Sequence, residues 1–216
     1  MKELPDLVAG PEIEKRSFEI IEAEVGEHGY DKLEWPVVRR IIHAAGDIEL
    51  VKYVKFGGDH VKKAISALKS CSPIISDTRM AISGISLARL KKVHSSYSRE
   101  SILCAVSDPT VAQLAKAWNM PRSVFNIRHF KEQLSDSIVL IGNAPTALWE
   151  VLRLYYEEGI RPRCIIGMPV GFVNVSEVKD MLMDTDLDYI TVSGRRGGTP
   201  LAVATINALA DLALSG

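Results

Sequence analysis

Apolar positions recur at helical spacing through the first third of the chain and in short unbroken runs through the rest. Residues 11–28 place Phe18, Ile21 and Val25 on one face with Glu and Lys elsewhere, which predicts an amphipathic helix opened by Pro11. Residues 32–45 align Val37, Ile41 and Ala44 along one stripe and stop at Gly46, a residue suited to a left-handed cap. Asp47 is placed to cap a short helix, and Gly57-Gly58-Asp59 opens another across 59–71. Beyond residue 72 the pattern changes. Apolar runs at Pro73–Ser76, Ile102–Val106, Ile138–Ile141, Cys164–Ile166 and Tyr189–Val192 predict strands, and 109–119, 122–134, 145–158, 175–184 and 199–214 read as helices. The fold class expected is α/β: a parallel or mixed doubly wound sheet of about five strands with flanking helices and a helical N-terminal third. No repeat, low-complexity tract or long linker divides the chain. Residues 1–216 therefore read as a single domain, mostly helical over 1–72 and alternating over 73–216.

The run Ile138–Ile141 ends at Gly142-Asn143, and a helical pattern begins at once, with Pro145 in its first turn and Asn143 placed to cap it. A strand, a sharp turn and a helix N-terminus aim backbone N–H groups beyond the strand. The same design recurs at Gly167-Met168-Pro169-Val170-Gly171 and at Gly194-Arg195-Arg196-Gly197-Gly198-Thr199-Pro200. Ligands of such sheets bind beyond the carboxyl ends of the strands, so three anion-friendly loops are expected on one edge. The turn at 142 has a plainer reading as an ordinary βα turn. None of the three matches a Walker or GxGxxG fingerprint, which argues against a nucleotide-dependent enzyme.

Composition narrows the partners. With 26 basic and 27 acidic residues the formal net charge is −1, so no bulk field recruits nucleic acid or an acidic membrane. No apolar run approaches a membrane span, and Met1–Asp6 lacks the apolar core of a signal peptide. Cys71, Cys104 and Cys164 are widely spaced and odd in number, which fits buried reduced thiols in a cytoplasm. No CxxC or HExxH spacing suggests a protein-bound metal.

Few side chains remain for chemistry. His43 stands near the end of the second predicted helix, beside Ala44-Ala45-Gly46, whose small side chains leave room for a flat ligand to reach the imidazole. A helix-terminal histidine stabilised by the helix dipole is the plainer alternative. His28, His60, His94 and His129 lie in polar company and read as surface positions, as does the basic run Arg89–His94. Arg195 and Arg196 combine guanidinium forks with glycine freedom ahead of a helix, suited to a carboxylate or phosphate, and Gly197-Gly198 has little purely structural reason there. Arg16-Ser17 and Arg122-Ser123 each pair a cation with a hydroxyl near a helix start. Both suit a carboxylate; as isolated patterns both also suit plain surface.

Five stretches together resemble the precorrin-8X methylmutase family of vitamin B12 biosynthesis, including its cobalt-precorrin-8 branch. They are Ile13-Glu14-Lys15-Arg16-Ser17-Phe18, Arg40-Ile41-Ile42-His43-Ala44, Gly142–Leu148, Gly167–Val173 and Gly194–Gly198, in family order along nearly the whole chain. The resemblance implies an isomerase that moves a methyl group from carbon 11 to carbon 12 of the tetrapyrrole, with no external cofactor. It implies His43 as the acid/base residue at the ring C nitrogen, and Arg16, Ser17, Arg122, Asn143, Thr146 and Arg195 as binders of substrate carboxylates. It further implies a homodimer with the flat ligand at the subunit interface. Arg196 departs from the pattern, since relatives often carry an uncharged side chain there. A non-catalytic tetrapyrrole binder or carrier is the alternative; it would not need a titrating group at 43.

Overall fold

The computed structural model describes residues 9–215; the Met1–Asp6 stretch weighed as a leader lies outside them. Among the described residues two amphipathic helices come first, α1 (Gly10–Val25) and α2 (Glu34–Ala45), and both stop where a glycine takes a positive φ, Gly26 and Gly46. A short 3-10 helix, Ile48–Lys52, follows; the Asp47 side chain caps it by accepting the Glu49 N–H at 3.0 Å. The chain continues through β1 (Val54–Gly57), α3 (His60–Lys69), β2 (Ile74–Ser76), α4 (Arg79–Gly84), α5 (Leu87–Val93) and β3 (Ile102–Leu103). Then come α6 (Pro109–Ala117), α7 (Arg122–His129), β4 (Ile138–Ile141), α8 (Pro145–Glu158), β5 (Cys164–Gly167), α9 (Val175–Met183), β6 (Tyr189–Val192) and α10 (Thr199–Ser215).

The six strands lie in the order β1-β6-β5-β4-β2-β3. Every pair is parallel except β1 with β6, where Val54 faces Val192. The sheet is therefore mixed and has one strand more than the expected five. The added strand is β1, which the periodicity left unassigned. The run 102–106 contracts to a two-residue strand, and 122–134 divides into α7 and a 3-10 helix at Lys131–Asp136.

The period of two along the strands separates two apolar layers. Ile138, Leu140, Cys164, Ile166, Ile190 and Val192 pack toward α2, α3 and α10. Val139, Ile141, Ile165 and Tyr189 pack toward α7, α8 and α9 with Leu148, Leu152 and Leu182. Both faces are covered, which is why the central strands read as unbroken apolar runs.

The three cysteines are free, but only Cys164 is fully buried; Cys71 and Cys104 are half-buried. His60 is not a surface histidine. Its ring stacks on Phe56 with centroids 4.5 Å apart, and Nε2 lies 3.1 Å from Glu34. His94 is half-buried too. Among the described residues, no helix is long and apolar enough to cross a membrane.

The topology gathers the expected loops. The carboxyl ends of β2, β4, β5 and β6 lead into Asp77, Gly142, Met168 and Ser193. Because β1 runs antiparallel, its start lies at that same edge, where Ser193 donates its N–H to the Tyr53 carbonyl at 2.8 Å. The C-terminal end of α2 feeds directly into this region through the 3-10 helix.

Candidate functional site

His43 sits in the last turn of α2 and faces α1. Its imidazole meets the Phe18 ring edge-on, centroids 5.3 Å apart. Phe18 is gripped in turn by Arg39 and Arg40, whose guanidinium carbons lie 4.2 and 4.8 Å from the ring centroid. Arg40 also binds Glu14 at 3.0 Å, and this hydrogen bond holds the Glu14 carboxyl below its usual range. The imidazole opens into a pocket of about 290 Å³ lined by Ser17, Ile20, Ile21, Glu24, Ile42, Gly46 and Ile48. Ala44 and Ala45 beside it are exposed. The small residues flanking His43 thus leave its surroundings open. Within this pocket the structure brings together two predicted site residues, His43 and Ser17. The Ser17 hydroxyl donates to the Ile13 carbonyl at 2.7 Å and retains its lone pairs. Arg16 points elsewhere: it is exposed and its Nε binds Glu12 at 3.0 Å.

The turn after β4 is not the open anion site its pattern suggests. Asp77, at the end of the neighbouring strand β2, fills it. Its carboxylate accepts the N–H groups of Gly142 at 2.9 Å, Asn143 at 2.9 Å and Ala144 at 2.6 Å. Asp77 is only 4% exposed, and burial pushes its carboxyl up against the lowering effect of those three bonds. Asn143 is accordingly not the helix cap; the residue ahead of α8 is Ala144, with no side-chain cap. The Asn143 side chain is exposed beyond the sheet edge. Thr146, in the first turn of α8, shares a 2.7 Å hydrogen bond with Ser123 in the first turn of α7. Arg122 precedes Ser123 and is exposed. Asn143, Thr146 and Arg122 therefore cluster where α7 and α8 begin. Thr146 also lines a second pocket of about 360 Å³ with Pro145, Trp149, Asn174, Glu177, Val178 and Met181.

The two remaining turns brace each other. Gly198 donates its N–H to the Met168 carbonyl at 2.8 Å, and Gly171 donates to Arg195 at 3.4 Å. Gly197 has φ 156°, and a Cβ there would lie 2.5 Å from the Met168 oxygen and 2.6 Å from the Pro169 oxygen. This close approach is the structural reason for a glycine at 197 that its sequence context did not supply. Beneath the loop lies Lys179 of α9, fully buried, with Nζ donating to the carbonyls of Gly194 at 3.0 Å and Arg196 at 2.5 Å. Burial pulls its ammonium down to about 8. Arg196 packs 4.3 Å over Tyr53 and lies 3.7 Å from Asp47, so it ties the loop to the segment just beyond His43. Arg195 is exposed and lies 5.4 Å from the Phe172 ring centroid. Among the described residues no carboxylate comes within ion-pair distance of Arg195 or Arg122.

Reading from the sequence misses Asp77 and Lys179. Each had a faint signal. Asp77 is an acid directly after an apolar strand, and Lys179 stands in the buried stripe of Val175, Val178 and Leu182, where a solvated lysine does not belong.

Comparison with known proteins places the chain in a family. The precorrin-8X methylmutase family profile matches residues 12–212. A cobalt-precorrin-8 methylmutase of Leptospira interrogans is 39% identical, with 97% of this chain and 96% of that protein covered. One from Methanocaldococcus jannaschii is 37% identical, covering 93% and 92%. A precorrin-8X methylmutase of Sinorhizobium is 36% identical, covering 93% and 94%. The crystal structure of precorrin-8x methyl mutase from Thermus thermophilus superposes with a TM-score of 0.86 at 37% identity, over 96% of this chain and 98% of that one. With the profile spanning almost all the described residues and relatives alike in both sequence and fold, the chain belongs to the precorrin-8X methylmutase family.

Proposed function

We propose that this protein catalyses the migration of a methyl group from carbon 11 to carbon 12 of precorrin-8X or cobalt-precorrin-8, giving hydrogenobyrinate or cobyrinate in cobalamin biosynthesis. One carbon–carbon bond breaks and another forms within a single molecule, so the step needs no oxidant, reductant or external cofactor. His43 protonates the ring C nitrogen and so favours the rearranged double-bond system. The observation that carries this reading is the full-length family match together with a His43 imidazole open to a pocket on the sheet's ligand edge.

Substrate carboxylates fall to Ser17 beside His43, to Arg122, Asn143 and Thr146 at the heads of α7 and α8, and to Arg195 on the loop after β6. Arg122 and Arg195 suit the task because no internal acid claims them. Arg16 serves more weakly, since a ligand carboxylate competes there with Glu12.

The protein works as a homodimer, with the macrocycle between subunits. A pocket of about 290 Å³ around His43 falls just below the roughly 300–1,000 Å³ range that encloses a drug-sized ligand, too little for a corrin. The Thr146 pocket is a separate hollow in the same chain. A second copy supplies the missing wall and joins the two groups of binders. The compartment is the cytoplasm, which suits three free thiols.

The test is conversion of each substrate by purified protein without cofactor, followed by visible absorption. Intact protein is expected to change the spectrum, and His43→Ala to bind the tetrapyrrole without converting it. Full turnover by His43→Ala removes the assigned acid, and a silent wild type leaves only a binder.

A further inference from the structure

Lys179 is a lysine with no exposed surface, and its ammonium faces carbonyls rather than a carboxylate. Burying such a charge is costly, so the contacts that hold it define its use. Both acceptors lie in the loop after β6, and they flank one residue, Arg195. The opposite side of that loop is fixed to the exit of β5 through Gly198 and Gly171. Gly197 leaves no space for the loop to settle deeper. The backbone of Arg195 is thus held on both flanks while its side chain projects outward.

We propose that Lys179 is a positioning residue for substrate binding: its ammonium clamps the carbonyls on either side of Arg195 and thereby presents that guanidinium to a carboxylate of the tetrapyrrole. The proposal rests on Arg195 being a carboxylate binder, as read above. Lys179 touches no substrate and acts only through the loop. The two carbonyl oxygens converge on a single nitrogen that carries three N–H donors, enough for both, and an apolar side chain there would leave both unmet. The lowered proton affinity of this ammonium fits its burial and leaves it charged at neutral pH.

A double-mutant cycle on the full-length protein tests the proposal, with KM and kcat for conversion and the Kd of hydrogenobyrinate as readouts. Lys179→Met is expected to raise KM and Kd about tenfold with kcat within about twofold, because uniform binding is lost rather than the chemical step. Combined with Arg195→Ala, it is expected to add less than about twofold to the effect of Arg195→Ala alone, since the two act through one contact. An unchanged KM and Kd for Lys179→Met, or an undiminished effect in the Arg195→Ala background, overturns the assignment. If Lys179→Met lacks the wild-type circular dichroism spectrum, Lys179→Gln, which loses the charge and one bond of reach, enters the same cycle under the same criteria. Wild type that binds hydrogenobyrinate yet converts nothing refutes the methylmutase reading alone, and the cycle is then read from Kd. Wild type that binds neither hydrogenobyrinate nor cobyrinate refutes both.

Discussion

Asp77 Oδ2 accepts the backbone N–H of Ala144 at 2.6 Å, a bond that joins the end of β2 to the head of α8. The same carboxylate takes the two preceding N–H groups, so the protein supplies its own anion where the strand-turn-helix pattern pointed to a ligand's. Asp77→Ala strands three donors, the Gly142 N–H buried and those of Asn143 and Ala144 part-buried, and is expected to destabilise the protein by about 2–3 kcal/mol in urea unfolding. Amide exchange at 142–144 should rise with it. A loss below about 0.5 kcal/mol would show that water replaces the carboxylate at no cost and that the turn is held by packing.

Glu150 gives a pH dependence of defined sign. It is fully buried on α8 and gripped by two guanidinium groups, Arg128 Nε at 2.7 Å and Arg153 Nη2 at 2.8 Å. Burial by itself raises its carboxyl, but the bonds from Arg153 and Arg128 outweigh that, leaving it below the usual 4.5. A carboxyl lowered by folding adds stability that is complete above 4.5 and disappears as pH falls through the folded-state value. Glu150→Gln should therefore lower stability at pH 7 by about 2–3 kcal/mol, with a gap that narrows steadily on acidification below pH 4.5. Parallel curves for wild type and variant down to acid unfolding would contradict the assignment.

The loop after β5 bears on assembly. Phe172 and Val173 are 81% and 74% exposed at adjacent positions. A large apolar group so placed is expected to face another copy of the chain. With the proposed dimer built through this loop, Phe172→Asp should shift the sedimentation-velocity peak to monomer and raise the KM for the tetrapyrrole while the fold is retained. A variant that stays dimeric moves the subunit interface away from this loop.

Much of this architecture is legible in the sequence wherever burial is two-sided. Ile138–Ile141 and Tyr189–Val192 are strands at their predicted limits, because unbroken apolar runs mark strands covered on both faces. The helix expected over 145–158 also appears at those limits, set by Pro145 and by Gly159 in the left-handed region. β1 escaped because Val54-Lys55-Phe56 is short, carries an exposed lysine and owes its strand geometry to a distant partner, β6. α4 and α5 are too brief for a period to establish itself. At the site, residue identities pointed to the sheet edge. What no single segment carries is the reach of Asp77 across 65 positions to Gly142, or of Lys179 to the loop at 194–196. Contacts of that kind decide which N–H groups stay free for a ligand.

An open sheet is most vulnerable along its outermost strands, where unpaired backbone invites a foreign strand. Here one margin is a two-residue stub, β3, and the other is the four-residue β1 with Lys55 exposed at its centre. Neither offers enough free ladder to template cross-molecule pairing. Self-association of this fold is thereby channelled away from backbone zippering and toward side-chain recognition, which natural selection can tune residue by residue without opening a route to fibres.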